Sequence, residues 1–246
     1  MENAKLTPTI LYENDDFIVV NKPYGMIVNN ADTTRAHYTL QDWIEETVKI
    51  LPPADFESEF VKRAGLVHRI DKETSGALII AKNEETFFAI QKQFKEKTVE
   101  KMYTALCHGR VAPKQGAINM PLGRLPWDRK KFGVVADGRE SFTEYTVAKE
   151  YLSPTGEILT LVHAFPKTGR THQIRVHMRH IGFPIFADSL YVGRKNSKRD
   201  RKLLNRHFLH ASKISFVDPR SEKRLTIESP LPPELVDFLS TLTYTN

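Results

Sequence analysis

The chain has 246 residues, of which 40% are apolar and 27% are charged, and this composition fits a folded protein with one large domain or two small ones. Twelve glycines and 14 prolines exclude collagen-like and disordered chains, and the lone cysteine, Cys107, excludes an internal disulfide framework. With 36 basic and 30 acidic residues the net charge is +6, which suits a polyanionic partner.

Extended and helical patterns alternate irregularly along the chain. The predicted strands are residues 10–21 (two strands around a turn), 66–70, 77–82, 101–109, 142–151, 157–165, 208–217 and 224–228. The predicted helices are residues 39–51, a segment capped by Asn83, residues 169–181, and a short helix opened by Pro232 and Pro233. Strands without regular helical crossovers predict an α+β fold with a mixed, mostly antiparallel sheet.

A charged loop between two apolar strands is the first candidate site. Residues 68–76 read His-Arg-Ile-Asp-Lys-Glu-Thr-Ser-Gly, so flanking β-structure would fix Asp71 where a ligand can still reach it. Arg69 and Lys72 would favour the ionised carboxylate if they lie close to it. The alternative, which the residues alone favour, is a polar turn with ordinary surface ion pairs.

A second candidate, residues 166–177, is dense in hydrogen-bond donors around a predicted helix start. On that helix Thr171 and Arg175 would be four residues apart and would share a face. Arg175 could then point inward and pair with a carboxylate, which stays charged beside a guanidinium. The alternative is an exposed basic helix.

Basic residues are concentrated in two segments. Residues 194–206 contain seven basic residues and one acid, Asp200. The second cluster is Arg124, Arg129, Lys130 and Lys131, with Trp127 among them. Clustered cations release counterions from nucleic acid, and an aromatic ring offers a stacking face. The alternative is a pair of solvated loops that only aid solubility.

Several other classes of protein are not expected. Lys167-Thr168-Gly169 matches a fragment of a β-lactamase signature, but Ser-x-x-Lys does not occur. The phosphate-binding loop and His-Glu-x-x-His patterns are absent, so neither an NTPase nor a metal site is predicted. No apolar run reaches the about 20 residues of a membrane helix, and no secretory signal is evident, so we expect a cytoplasmic protein.

Six segments, in order from about residue 10 to residue 233, together resemble the pseudouridine synthases of the RluA type. They are Val20-Asn21-Lys22-Pro23-Tyr24-Gly25, His68-Arg69-Ile70-Asp71 with Thr74-Ser75-Gly76, Lys101-Met102-Tyr103-Thr104-Ala105, Gly169-Arg170-Thr171-His172-Gln173-Ile174-Arg175-Val176-His177, Gly182-x-Pro184-Ile185 and Leu209-His210-Ala211. The departures are Ile70 in place of a more usual Leu, Asn29-Asn30 after the early element, and Asp218-Pro219 where His-Pro is common.

The resemblance implies one catalytic domain over residues 1–246, with its core at about 10–233. It implies helices flanking the sheet, a central RNA-binding cleft and no N-terminal domain of the S4 kind. The expected reaction converts specific uridines in ribosomal or transfer RNA to pseudouridine. It needs no cofactor or metal, and the enzyme is expected to be a monomer that binds structured RNA and no membrane.

The resemblance also assigns site residues. Asp71 matches the catalytic Asp that acts at the ribose anomeric carbon of a flipped-out nucleotide, by a covalent or a glycal route. Tyr103 matches the active-site Tyr that stacks on the uracil, and Arg175 matches the basic residue that pairs with the Asp. Arg69 would fill the space left by the target base, and Lys22 would contact phosphate.

The remaining predicted RNA contacts are Arg170, His172, Arg194, Lys195, Lys198, Arg199, Arg201 and Lys202. Two competing interpretations stay open at this point. One is an RNA-binding or assembly factor whose enzyme scaffold has lost activity, and the other is a metal hydrolase.

Overall fold

The computed structural model describes residues 5–30, 37–51 and 57–244. The chain forms two compact units, the first from Met1–Glu100 with Ala211–Pro230 and the second from Lys101–His210 with Leu231–Asn246. Among the described residues, no helix is long and apolar enough to cross a bilayer.

The sheet of the first unit has the strand order β1-β2-β3-β10-β11. Its strands are β1 Thr9–Glu13, β2 Phe17–Lys22, β3 Ser75–Ala81, β10 Leu209–Val217 (from Ala211 onward) and β11 Arg224–Glu228. The β1–β2, β2–β3 and β10–β11 ladders are antiparallel. Every residue of β3 is buried, because this strand lies at the centre of the unit's sheet.

Three helices complete the first unit, namely α1 Leu40–Thr47, α2 Glu59–Lys62 and α3 Glu84–Lys95. The α3 start is as predicted, since the Asn83 side chain accepts a hydrogen bond from the Thr86 amide. Phe87 and Ile90 of α3 pack on Phe17, Ile79 and other apolar residues of the sheet. This core holds β3, and with it the loop that carries Asp71.

The second unit has the strand order β4-β9-β8-β12, with β5 also paired to β8. Its strands are β4 Glu100–His108 (from Lys101 onward), β5 Gln115–Asn119, β8 Phe142–Leu152, β9 Ile158–Pro166 and β12 Thr243–Tyr244. The ladders within this sheet are antiparallel.

Helices and a separate hairpin surround that sheet. The helices are α4 Gln173–His180, α5 Arg194–Asp200 and α6 Pro233–Ser240. The strands β6 Leu122–Leu125 and β7 Asp128–Val134 pair with each other in a separate two-stranded sheet, which we call the β6–β7 hairpin. The α+β class and the mostly antiparallel pairing are therefore confirmed.

Two helix boundaries were predicted wrongly, both for local reasons. The first helix ends at Thr47 instead of residue 51, because the chain turns extended at Val48 and the Leu51 amide bonds to the Lys82 carbonyl. The later helix begins at Gln173 instead of residue 169, since His172 has a positive φ of 57°. Thr171 and Arg175 therefore do not share a helix face.

Candidate active site

Asp71 lies in the first unit at the beginning of a tight turn that leads into β3. Its side chain is partly buried, and its backbone carbonyl accepts a hydrogen bond of 3.1 Å from the Thr74 amide. The predicted strand at residues 66–70 forms only an isolated bridge at Leu66, but His68 of this segment is held by its side chain. Its Nε2 accepts the Ile79 amide at 3.0 Å, and its ring lies 4.7 Å from the ring of Phe94. The carboxylate is therefore carried by backbone that is fixed on both sides.

The side chain of Lys22 also holds this turn in place. Its side chain is fully buried, and its ammonium donates to the carbonyls of Pro23, Met26 and Lys72 at 2.9, 2.8 and 3.2 Å. The Gly25 amide also donates to the Lys72 carbonyl, at 2.8 Å. An ammonium enclosed by carbonyls is not presented at the surface, so the structure replaces the predicted phosphate contact with a role in holding the turn.

The end of the turn requires a glycine. Gly76 has a φ of 118°, and a Cβ at this position would lie 2.3 Å from the carbonyl oxygen of Ala211. A side chain would therefore push β3 away from β10. This close approach explains the glycine at position 76.

A Lys22→Met variant separates the two roles of this lysine. We expect it to lower the free energy of unfolding by about 1–3 kcal/mol, because buried carbonyls lose their donor. It should leave the salt dependence of RNA binding unchanged, whereas loss of a phosphate contact reduces the slope by about one. Urea unfolding measures the stability, and RNA titrations at several salt concentrations measure the slope. A slope that is smaller in Lys22→Met would support the phosphate contact that was predicted from the sequence.

Arg175 lies in the second unit, on α4, and is only 4% exposed. Its Nε and Nη2 donate to the two carboxylate oxygens of Asp188 at 2.7 and 2.9 Å. Burial by itself would raise the pKa of Asp188, but the hydrogen bonds and charge of Arg175 outweigh it and hold the pKa below its usual range. The inward, paired arginine expected from the sequence is present, with Asp188 as a partner that the sequence did not reveal.

Tyr103 lies on β4 of the second unit, opposite Ala164 of β9. Its ring is partly buried and packs on an apolar cluster that includes Ala105 and Val162. On the same strand, burial lowers the pKa of Lys101 to about 8, and the charge of Lys167 acts in the same direction. The ring of Tyr103 is thus held on one side and partly open to solvent.

The loop before α4 is organised by Gln173. Its Oε1 accepts the Thr168 hydroxyl at 2.7 Å and the Arg170 amide at 3.0 Å, while its Nε2 donates to the Phe142 carbonyl and the Thr143 hydroxyl. Arg170 is partly buried and donates from Nε to the Glu140 carbonyl at 3.1 Å. The late motif is therefore a loop fixed to β8, with the helix starting only at its Gln.

The basic segment from residue 194 forms α5 and lines a groove of about 610 Å³. The cationic residues at this groove, which we call the basic groove, are Lys131, Arg194, Lys198, Arg201 and Lys202. Lys131 comes from the hairpin, so the two basic clusters of the sequence meet here. Lys195 is also exposed on α5.

Two of the predicted RNA contacts on this segment are also engaged with protein. Arg199 donates to Glu157 at 2.6 Å and to Asp200 at 3.1 Å. Arg201 donates from Nε to the Ala187 carbonyl at 3.0 Å. These bonds hold α5 in place, so the exposed cations Arg194, Lys195, Lys198 and Lys202 are the better candidates for contact with phosphate.

The β6–β7 hairpin presents the second cluster. Its turn carries Trp127, whose side chain is 80% exposed. Arg124 lies over the Phe132 ring at 5.0 Å, while Arg129 and Lys130 are exposed. An exposed tryptophan beside cations suits contact with an unpaired base.

The sequence match extends through both units. The family model for RNA pseudouridylate synthase matches residues 16–180. This chain belongs to that family. Among curated proteins, it is 36% identical over 242 residues to an uncharacterized RNA pseudouridine synthase of Bacillus subtilis, covering 95% of this chain and 72% of the relative. It is 35% identical over 237 residues to ribosomal large subunit pseudouridine synthase D of Nitrosomonas europaea, covering 95% of this chain and 64% of that protein.

Solved structures show the same fold. Human RNA pseudouridylate synthase domain containing 1 superposes with a TM-score of 0.75 at 24% identity, covering all of this chain and 92% of that one. The RluA-type resemblance is thereby confirmed, and the protein is an RNA pseudouridine synthase, an isomerase of uridine in RNA. The roles of individual residues stay predictions.

Two residues beside Arg175 were not predicted from the sequence. Asp188 binds its guanidinium, and the Tyr191 ring lies against it. One signal was available, since Asp188 is the only charged residue between His180 and Arg194. An acid that such a stretch carries into the interior needs a charged or hydrogen-bonding partner, because Asp is almost never fully buried unless it is paired. In the described part of the chain, no three side chains of metal-binding types come together.

Proposed function

We propose that this enzyme modifies uridine in large-subunit ribosomal RNA, with Asp71 as its catalytic carboxylate. The observation that carries the choice of residue is the fixed turn, in which Lys22, Gly25 and Thr74 hold the backbone around Asp71. The choice of RNA is supported by curated relatives named ribosomal large subunit pseudouridine synthase, of types C and D, at 34–36% identity.

The proposed reaction conserves all atoms of the nucleotide. The bond from N1 of uracil to the ribose C1′ breaks, the base turns, and a bond from C5 to C1′ forms. C5 then loses its proton and N1 gains one. The Asp71 carboxylate acts at C1′, or assists loss of a sugar proton, while the base is detached. Tyr103 stacks on the uracil, and its hydroxyl is placed to relay a proton.

The proposed role of Arg175 is electrostatic. As the resemblance implies for Arg175, a guanidinium paired with the catalytic carboxylate keeps that carboxylate ionised. Asp188 and Tyr191 contact the guanidinium and limit the directions that it can take. Arg69 is exposed in the first unit and is proposed to occupy the place of the flipped base.

RNA binding is proposed to offset the cost of base flipping, which is a few kcal/mol. The basic groove and the β6–β7 hairpin supply cations for phosphates and one exposed aromatic ring. We further propose that the chain forms one catalytic domain, since the family match extends over residues 16–180. The protein is proposed to act as a cytoplasmic monomer.

The deciding experiment uses unmodified transcripts of large-subunit ribosomal RNA and, in parallel, unmodified transfer RNA transcripts. Each is incubated with the pure protein, and pseudouridine is mapped by its stable carbodiimide adduct. We expect one or a few modified positions in the ribosomal RNA. Modification of transfer RNA alone would overturn the proposed substrate, and binding of both RNAs without any modification would favour the assembly-factor alternative.

Neutralising part of the basic groove tests the RNA surface. The double variant Lys198→Ala/Lys202→Ala removes two exposed cations, so we expect weaker RNA binding and a slope of log K against log salt that is smaller by about two. Titration at several salt concentrations measures this slope. The matched control is Lys92→Ala/Lys95→Ala, two exposed lysines on α3 of the first unit. Equal slopes in both variants would support the alternative, in which α5 is a solvated surface that does not bind RNA.

A further inference from the structure

Tyr191 is a buried side chain that contacts Arg175 on one side. It is 3% exposed and lies in the loop that follows α4. The Arg175 guanidinium carbon is 5.0 Å from the centre of its ring. A cation over an aromatic face is attracted to it, and the attraction grows when water is excluded. The ring therefore favours one placement of the guanidinium.

Tyr191 and Arg175 also share an acceptor. The Tyr191 amide donates to Oδ1 of Asp188 at 3.2 Å, and Nη2 of Arg175 donates to the same oxygen at 2.9 Å. The Leu190 amide donates to it as well, at 2.9 Å. A displacement of Tyr191 would therefore disturb Arg175 both through its ring and through Asp188.

The hydroxyl of Tyr191 connects this cluster to the β6–β7 hairpin. It accepts a hydrogen bond of 3.0 Å from the Phe132 amide on β7 and is 2.8 Å from Nδ1 of His172. The donor in the contact between the hydroxyl and His172 is set by the tautomer of the imidazole. A buried hydroxyl with two partners is fixed in direction, and its ring is fixed with it.

The other end of the hairpin is open to solvent. Trp127 lies on the turn between β6 and β7, directly before the strand that carries the Phe132 amide. Arg129 and Lys130 are exposed on the same strand. The hairpin thus has an exposed end suited to RNA and a buried contact to the residue that holds Arg175.

We propose that Tyr191 is a positioning residue that couples RNA bound at the β6–β7 hairpin to the placement of Arg175. The proposal rests on the function proposed above and adds to it a route by which RNA contact reaches the site. RNA on the hairpin restrains β7, the Phe132 amide then restrains the Tyr191 hydroxyl, and the Tyr191 ring holds the guanidinium.

The test is a double-mutant cycle of Tyr191→Phe and Trp127→Ala. Phenylalanine keeps the ring under Arg175 and removes only the hydroxyl. The probe is whichever transcript the wild-type protein modifies, and the measured quantities are the single-turnover rate constant at saturating RNA and the Kd. Tyr244→Phe is the matched control, because Tyr244 is 60% exposed. In the proteins that retain Trp127, quenching of its fluorescence by RNA measures the Kd. The chain has two tryptophans, so these proteins also carry Trp43→Phe, which removes the other fluorescence signal.

We expect Tyr191→Phe to lower the rate constant by about tenfold and to change the Kd by less than about twofold. Trp127→Ala should raise the Kd. In proteins with an intact Tyr191 it should also lower the rate constant at saturating RNA by about threefold, and in Tyr191→Phe it should leave that rate constant unchanged. Loss of this second effect in the double variant is a readout that a change in stability alone does not produce. Thermal melting of each variant checks that it is folded at the assay temperature.

Two results would overturn the coupling. One is an unchanged rate constant in Tyr191→Phe, and the other is an equal effect of Trp127→Ala in both backgrounds. Both require a wild-type protein that forms pseudouridine, so they leave the proposed function intact. A wild-type protein that modifies neither ribosomal nor transfer RNA would instead overturn the proposed function, and the coupling with it.

Discussion

Asp71→Asn is expected to abolish pseudouridine formation while the protein still folds and binds RNA. The amide has the shape of the carboxylate but lacks the charge needed to act at the ribose C1′. The hydrogen bonds that Lys22, Gly25 and Thr74 donate to this turn go to the backbone carbonyls of Asp71 and Lys72, so the substitution leaves them in place. We expect a loss of about a thousandfold or more in the single-turnover rate constant.

The control is Glu73→Gln, which removes a neighbouring acid from the same turn. It should retain activity within about threefold. RNA affinity and the unfolding curve of Asp71→Asn should match those of the wild-type protein. Substantial turnover by an Asp71→Asn preparation, verified by mass spectrometry to contain no aspartate at this position, would remove Asp71 from the proposed mechanism.

Asp188→Ala is expected to destabilise the protein strongly. Asp188 is fully buried and binds the guanidinium of Arg175 through both carboxylate oxygens. Removing one partner of a buried ion pair costs about 3–5 kcal/mol, since the buried guanidinium loses the charge and both hydrogen bonds of Asp188. Urea unfolding measures this loss. The exposed Asp237 provides the control, since Asp237→Ala should change the free energy of unfolding by less than about 0.5 kcal/mol.

A double variant separates stability from activity at the same pair. Asp188→Leu/Arg175→Met replaces both charges with apolar side chains, so we expect it to recover most of the lost stability. It should still form no pseudouridine, because the proposed site has lost its guanidinium. Recovery of activity together with stability would show that Arg175 serves only the fold.

The pair also gives the protein a predicted acid sensitivity. Arg175 lowers the pKa of Asp188, so the folded state binds this proton less readily than the unfolded state. The stabilisation is therefore present at neutral pH and is lost as the pH falls below the usual range of a carboxyl group. The double apolar variant should lack this part of the pH dependence in the same unfolding assay.

The elements that local chemistry specifies were predicted well. The capped helix after Asn83, the strand β11 and the final helix behind Pro232 all lie where caps, alternation and prolines placed them. The helix at Gln173 was predicted four residues too early, because the bonds from Gln173 to the preceding loop and to β8 outweigh the helical pattern. The hairpin was missed, since β6 has only 4 residues and β7 begins with a run of charged residues.

The sequence by itself determined the family, the α+β class and the candidate residues Asp71, Tyr103 and Arg175, because these depend on residue order and local pattern. Only the tertiary structure decided that Lys22 is buried beneath the turn of Asp71, that Asp188 and Tyr191 hold Arg175, and that Lys131 meets α5. The physical reason is that burial and pairing join residues that are distant along the chain. A charge acquires its role from the groups packed around it, which a sequence pattern does not name.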